Sequence, residues 1–220
     1  MKYNLESYFK SFLNNSIVEE KVNHYHNLNK LIRQYQKTLF DFETRTVYTF
    51  SETPEVFKQK IFFDDIGLDS HYVIEWDIEK AKRVIRSLQL QPQLTPVSEL
   101  YPHIVQNEVT QEHLEVALIN KEPVIAVDFA PTNSLYLIDG NHRITSHYLT
   151  DPKSAFPVYY IPSPFHINAM CSDVDVALYC IHQNLTSIMN YLIGNVNSVN
   201  RLKDVFLLTI EMIYCGLSRG

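Results

Sequence analysis

The spacing of apolar and polar residues predicts several helices in the first ninety residues. Apolar positions recur at helical spacing over residues 5–13, and again over residues 17–40, a longer stretch that Ser16 caps. Asp77 caps a third helix, residues 78–90, whose lysines and arginines make it the most basic part of the chain. Those basic side chains either face solvent or form a wall that contacts phosphate or nucleic acid.

Extended runs between and after these helices predict strands and one linker. Residues 46–50 and 72–76 are strand-like, and Pro54 between them fits the first turn of a short helix. The segment QPQLTP, residues 91–96, is the best candidate for a linker, and a domain edge is expected there. The same segment would also serve as a short connection inside one globule.

Two largely apolar helices are predicted at the C-terminal end of the chain, over residues 173–193 and 199–215. Gly194 and Asn195 form the turn between them, because glycine and asparagine readily end a helix. The apolar side chains of this helical pair either pack on the core or form the interface of a homodimer.

Composition limits the classes of protein to which the chain can belong. Its 220 residues are 45% hydrophobic and include 14 tyrosines and 12 phenylalanines, so a sizeable core is expected. The formal charge of -6 argues against a general nucleic-acid binder. No apolar run reaches the roughly 18 residues that span a bilayer, and no signal-peptide core is present, so we expect a cytoplasmic protein. Three cysteines without metal-ligand spacing predict buried, reduced thiols.

The middle of the chain predicts the order helix, strand, turn, strand, helix, strand. A helix that Thr110 caps leads into a buried strand at residues 123–129, and residues 131–133 form a turn. A second strand occupies residues 135–138, and a third follows the next helix at residues 156–161.

The five residues from Asp139 to Arg143, DGNHR, separate the second of these strands from the helix that follows. The chain has only 5 glycines, so Gly140 at this junction indicates a positive φ or a close approach of the backbone to a ligand. Free N–H groups at a helix start, together with His142 and Arg143, would favour a phosphate. Asp-Gly between apolar runs is also a hairpin signal, in which Asn141 to Arg143 would be solvated turn residues.

The order of elements and the DGNHR motif in EHLEVALINKEPVIAVDFAPTNSLYLIDGNHRITSHYLTDPKSAFPVYYI resemble the ParB/sulfiredoxin-like superfamily. The resemblance covers residues 95–161 and implies an α+β fold, a small mixed sheet with helices flanked by N-terminal and C-terminal helical regions. Together with the helices predicted on either side of it, the resemblance divides the chain into three parts: a mainly helical accessory region (1–94), the core (95–165) and a C-terminal helical pair (166–220). It also implies that the motif binds the phosphates of a nucleotide.

The family's members differ in chemistry, since they include DNA-partition clamps, sulfinic-acid reductases and free-serine kinases, so a shared fold does not fix the reaction. Asn141 stands where sulfiredoxins have a catalytic cysteine, which argues against that chemistry. After Ile161 there is no lysine or arginine before Arg201, unlike the basic helix-turn-helix of partition proteins. These departures favour a small-molecule phosphotransferase or a nucleotide hydrolase.

The candidate site residues divide into those expected to bind phosphate or nucleotide and those expected to be catalytic. The phosphate- and nucleotide-binding candidates are Gly140, Asn141, His142 and Arg143. The catalytic candidates are Asp139, His142 and Glu108. Asp139 either holds the turn, acts as a base or helps to hold a divalent metal, and Glu108 or Glu112 is the candidate general base. The cofactor would be a nucleotide of unknown base, with or without Mg²⁺, and no spacing of His or Cys demands a resident metal.

Two other functions stay open at this point. The first is a non-enzymatic nucleotide- or nucleic-acid-binding protein of the partition type found in plasmids and phages. The second is an interaction protein that keeps the fold with a degenerate site. Binding of nucleotides, salt-sensitive binding of DNA, or neither would separate the three functions.

Overall fold

The computed structural model of this protein describes residues 2–21, 28–45, 55–63, 70–104 and 111–194. Helices and two small sheets are both present within these ranges, which confirms the predicted α+β class. The helices, in chain order, are α1 (Glu6–Leu13), α2 (Ser16–Lys21), α3 (Leu28–Arg45), α4 (Ile78–Ser87), α5 (Val97–Leu100), α6 (Leu114–Ile119), α7 (Asn141–Thr150) and α8 (Asp173–Leu192). The strands are β1 (Tyr3–Asn4), β2 (Val56–Phe62), β3 (His71–Asp77), β4 (Gln93–Pro96), β5 (Val124–Phe129), β6 (Ser134–Asp139) and β7 (Ala155–Ile161).

The chain divides into two compact units. The first unit comprises Met1–Thr49, Gln59–Glu75 and Cys171–Gly220. The second unit comprises Phe50–Lys58 and Trp76–Met170, and it contains the whole DGNHR motif.

Helices α1, α3 and α8 supply most of the described core of the first unit. The amphipathic pattern of α1 buries one face, where Tyr8 stacks on Phe63 with ring centroids 3.8 Å apart. The short strand β1 pairs antiparallel with β3, with Tyr3 opposite Tyr72, in a sheet of order β1-β3-β2.

A four-stranded mixed sheet of order β4-β7-β5-β6 organises the second unit. β5 pairs parallel with β7, with Val124 opposite Val158, and antiparallel with β6. The run of buried residues along β5 agrees with a strand that has neighbours on both sides and both faces covered. β4 pairs antiparallel with β7 at the edge, with Thr95 opposite Phe156.

Side chains from α5 and α7 join those of the strands in one apolar core of the second unit. Its buried members are Val97, Leu100, Ile104, Val124, Ala126, Leu137, Ile144, Phe156 and Val158. Ile144 of α7 is fully buried in this cluster, so the core fixes the helix that follows the motif. The helix after the motif also excludes the alternative in which Asp139 and Gly140 turn a hairpin.

The structure corrects three predictions made from local pattern. Residues 91–96 are not a linker, because four of them form β4, an edge strand held by backbone pairing to β7. Ser16 lies inside α2 rather than capping it, and the side chain of Asn15 instead accepts a hydrogen bond from the N–H of Ile17. The segment after Pro54 is the strand β2, not a helix, and neither β1 nor β2 was predicted.

Other predictions agree with the structure or lie outside the described residues. The helix capped by Asp77 is present, and Asp77 Oδ1 accepts from the N–H of Lys80, although α4 ends at Ser87 rather than residue 90. Cys171 and Cys180 are buried and are not joined to each other by a disulfide. The predicted strand at 46–50, the cap at Thr110, the second C-terminal helix and Cys215 all lie outside the described residues. Within the described chain, no helix is both long enough and apolar enough to cross a bilayer.

Candidate functional site

Gly140 allows β6 to turn directly into α7. Its φ is +96°, in the left-handed region that favours glycine. A Cβ built on Gly140 would also overlap the side chain of Val124, whose Cβ would be 2.8 Å away. Both the backbone conformation and the close approach of β5 therefore require glycine here.

The start of α7 leaves backbone N–H groups for a ligand. The N–H of Ile144 makes the first intrahelical bond, to the carbonyl of Gly140 at 3.0 Å. No side chain of the described residues caps this N-terminus. The N–H groups of the first turn and the positive end of the helix dipole together favour a bound anion.

Arg143 braces the loop that precedes α7. Its guanidinium donates to Asp139 Oδ1 at 2.7 Å and to the carbonyl oxygen of Glu122 at 3.0 Å. The side chain is only 9% exposed. Asp139 is thereby an ion-pair partner that holds the turn, and Arg143 links this turn to Glu122, two residues before β5.

Asn141, the first residue of α7, is buried at 7% exposure. Its Oδ1 has no hydrogen-bond partner among the described residues. A buried acceptor without a partner typically costs about 1–3 kcal/mol, so such a group at the edge of a cleft indicates a place for a ligand.

A cleft of about 500 Å³ opens at this helix start, within the second unit. Its polar lining combines both signs of charge, with carboxylates, amides, imidazoles and two permanent cations. These residues are Glu55, Lys82, His113, Asn120, Glu122, Asp139, Asn141, His142 and Arg143. The volume suits a small phosphorylated molecule or a nucleotide.

Two histidines face each other across part of this cleft. The rings of His113 and His142 meet edge-on, with centroids 5.2 Å apart and an interplanar angle of 85°. Burial lowers the pKa of His142, and the charge of His113 lowers it further. His142 is therefore mainly neutral near pH 7 and able to accept a proton.

Lys82 brings a cation from α4 into the cleft. Its Nζ lies 2.7 Å from Glu79 Oε1, and its side chain is 42% exposed. The hydrogen bond to Glu79 raises the pKa of the Lys82 ammonium, burial opposes the rise, and the charge of Asp139 adds to it. Of the basic residues of α4, Lys82 lines the cleft, whereas Arg83 and Arg86 are exposed and lie outside its lining.

The structure brings some of the candidate site residues together in the cleft but not all of them. Gly140, Asn141, His142, Arg143 and Asp139 all line the cleft. Glu108 lies outside the described residues, and the exposed Glu112 does not line the cleft.

Sequence reasoning missed His113, Glu55 and Glu122, and it identified Lys82 only as one of several basic residues on the same helix. For Lys82, the signal was its position one helical turn after the buried Ile78, which puts both side chains on one face of α4. Across the described ranges, no group of three or more His, Cys, Asp or Glu side chains is placed to hold a metal ion.

Comparisons of this chain with protein-family models, with curated proteins and with solved structures find no match. The resemblance to the ParB/sulfiredoxin-like superfamily therefore stays a prediction that rests on the DGNHR motif and the order of elements around it.

Proposed function

We propose that the cleft at the start of α7 binds the phosphate of a nucleotide or of another phosphorylated small molecule. The observation that carries the proposal is the helix start itself, where Gly140 turns the chain and no described side chain caps α7. Backbone N–H groups in this arrangement form a general phosphate site. The ParB/sulfiredoxin-like fold, which the motif resembles, is part of the same proposal.

The charges in the cleft assign a separate task to each cation. Lys82 is partly exposed and supplies a point charge for the phosphate. Arg143 acts mainly as the brace of the loop, because two of its donors serve Asp139 and the Glu122 carbonyl. The carboxylates of Glu55 and Glu122 border the same space. A nucleotide would enter most favourably as its magnesium complex, whose reduced negative charge these carboxylates tolerate.

We extend the proposal to phosphoryl transfer, to a small-molecule hydroxyl or to water. The acceptor oxygen forms a bond to phosphorus while the bond from phosphorus to the leaving oxygen breaks. The proton of the acceptor passes to His142, whose pKa burial keeps below its ordinary value. The amides at the start of α7 stabilise the charge on the transferred group.

Calorimetric titration with nucleoside di- and triphosphates, with and without magnesium, tests the binding step. A specific ligand at 100 times its Kd should also stabilise the protein by about 2.7 kcal/mol in thermal unfolding. Lys82→Ala should weaken binding by about tenfold, since it removes one charge-assisted contact to phosphate.

Arg83→Ala is the matched control, because Arg83 is the next residue of α4 and is exposed outside the cleft lining. It removes the same charge from the same helix and should leave affinity unchanged. Equal losses in Lys82→Ala and Arg83→Ala would mean that only overall charge matters and would contradict the proposed site. Retardation of DNA that disappears with added salt, without nucleotide binding, would favour the nucleic-acid-binding function.

A further inference from the structure

We infer that the ligand of this cleft carries a hydroxyl or amino group that donates a hydrogen bond to Asn141 Oδ1 while its phosphate lies at the start of α7. The ligand class is then a hydroxylated phosphate ester, such as a sugar phosphate or a nucleoside phosphate, rather than phosphate alone or a polyphosphate chain. This inference rests on the proposed function, since it presupposes the phosphate at the helix start.

The unpartnered oxygen of Asn141 limits which chemical groups can bind beside it. Asn141 lines the cleft, and only 7% of its surface is exposed. Its Oδ1 has no hydrogen-bond partner among the described residues. A carbonyl oxygen accepts hydrogen bonds and cannot donate them. A fully ionised phosphate only accepts, so it cannot satisfy this oxygen, whereas a hydroxyl or an amino group can.

Asn141 is the first residue of α7, so its side chain lies beside the proposed phosphate position. Its backbone N–H belongs to the turn that would hold the phosphate, and its side chain belongs to the same residue. The donor and the phosphate must therefore lie close together in the ligand, as they do where a hydroxyl stands on a carbon near a phosphate ester.

The side-chain amide of Asn141 has two orientations that exchange its oxygen and its NH₂ group. If the side-chain amide is turned by half a rotation, its NH₂ group occupies the buried position and donates to the phosphate itself. Asn141 would then contribute equally to every phosphate ester. With Oδ1 in place, its contribution depends on whether the ligand has a donor. The two orientations thus predict different results for ligands that differ only in their hydroxyl groups.

Glycerol 3-phosphate and propyl phosphate form such a pair, since both carry one phosphate on a three-carbon chain. We would measure the affinity of each by calorimetric titration for the wild type, Asn141→Ala, Asn141→Asp and Lys82→Ala. The wild type should prefer glycerol 3-phosphate by about fivefold, the ratio expected from one net hydrogen bond. Asn141→Ala should lose this preference, and Asn141→Asp should keep it while binding both ligands more weakly, because the added carboxylate repels phosphate.

Lys82→Ala should weaken both ligands by the same factor and leave their ratio intact. Equal affinities in the wild type, or a preference that survives in Asn141→Ala, would overturn the inference while leaving the proposed phosphate site standing. If neither ester nor any nucleotide binds the wild type, the proposed function fails and the inference fails with it.

Discussion

Two clusters of polar side chains, one in each unit, differ in how far the protein itself uses their hydrogen-bonding groups. In the first unit the Lys2 ammonium lies 2.9 Å from Asp175 Oδ1 and 3.2 Å from Glu75 Oε2. The fully buried Asp175 also accepts from the hydroxyl of Ser172 at 2.6 Å and from the N–H of Glu75 at 3.1 Å. Every charge in this cluster has a partner.

The cleft of the second unit has a pair of the same kind and, beside it, groups that the described residues leave without a partner. Arg143 and Asp139 satisfy each other, but Asn141 Oδ1 does not find a donor and no described side chain caps α7. In a completed polar cluster, removing one member leaves the others buried and unpaired, which is strongly destabilising. An incomplete cluster has its remaining capacity available for a ligand. Substitutions in the two clusters should therefore have opposite effects on stability and on binding.

The largest expected effect is on the completed cluster. Lys2→Met keeps most of the apolar stem of the side chain but leaves the Asp175 carboxylate buried without its cation. We expect a loss of about 3–4 kcal/mol in the free energy of unfolding, the lower part of the range for breaking a buried ion pair, because Lys2 is 17% exposed. Chemical denaturation of wild type and variant measures this difference.

The loss in Lys2→Met should depend on pH in a defined direction. Burial raises the pKa of Asp175, with Lys2 as the main opposing influence, so the variant raises it further. The folded state then binds a proton that the unfolded state releases, and stability falls as pH rises through the folded pKa. The loss should be smaller near about pH 5 than near about pH 8. Lys10→Met, which breaks a pair 71% exposed on both sides, should show no such change at either pH.

The second effect concerns Gly140, where both the backbone conformation and the contact with Val124 should exclude a side chain. Gly140→Ala forces a side chain into a left-handed backbone conformation and against Val124. We expect a loss of about 2–3 kcal/mol in stability, together with loss of phosphate binding. Thermal unfolding and titration of the same preparation measure both.

Gly194→Ala is the control for the backbone part of this effect. Gly194 has a similar φ of +86°, but a Cβ there would meet nothing within 4 Å. Its cost should be about 1 kcal/mol, that of the conformation alone. If Gly140→Ala costs no more than Gly194→Ala, the close approach of β5 does not constrain the loop.

A third, smaller effect concerns His142, which should bind an anion more tightly when protonated. Burial, followed by the charge of His113, lowers the pKa of His142, so the free site gains its charge only as pH falls below the ordinary range of histidine. Sulfate, which does not titrate near neutrality, should bind about three- to fivefold more tightly at about pH 5.5 than at about pH 8. The pH dependence of sulfate affinity that persists in His113→Gln should be absent from His142→Gln. A profile that is flat in the wild type would exclude His142 from the anion site.

Sequence reasoning located the turn between β6 and α7 because its signals are local. A glycine after an apolar run and the apolar positions around it, such as Leu137 and Ile144, predict β6 and α7, and the core then excludes the hairpin that the same local pattern permits. The strand β4 could not be found in this way. Its residues Gln93, Leu94 and Pro96 are exposed, and the strand exists because its backbone pairs with β7, about sixty residues later in the chain.

The contacts of the charged side chains around this turn were harder to predict than the turn itself. Arg143 carries the charge that suits phosphate, yet two of its donors serve Asp139 and a backbone carbonyl. Lys82 has the exposed charge, but it belongs to a helix whose packing beside the loop no local pattern reveals. Residue type indicates which interactions a side chain can make, and tertiary contacts decide which of them it makes.

The smallest expected effect is the sharpest test of the contrast between the two clusters. Asn141→Ala removes a buried acceptor that has no partner among the described residues, so it removes an unfavourable burial along with a few favourable contacts. We expect the free energy of unfolding to change by less than about 1 kcal/mol, with a gain as readily as a loss, because only a satisfied polar group stabilises the fold. Denaturant titration of the ligand-free protein measures this change, and its slope should match that of the wild type. A loss in the free energy of unfolding comparable to that of Lys2→Met would mean that Asn141 supports the structure of α7 itself. The inference that its Oδ1 accepts a hydrogen bond from a ligand would then be contradicted.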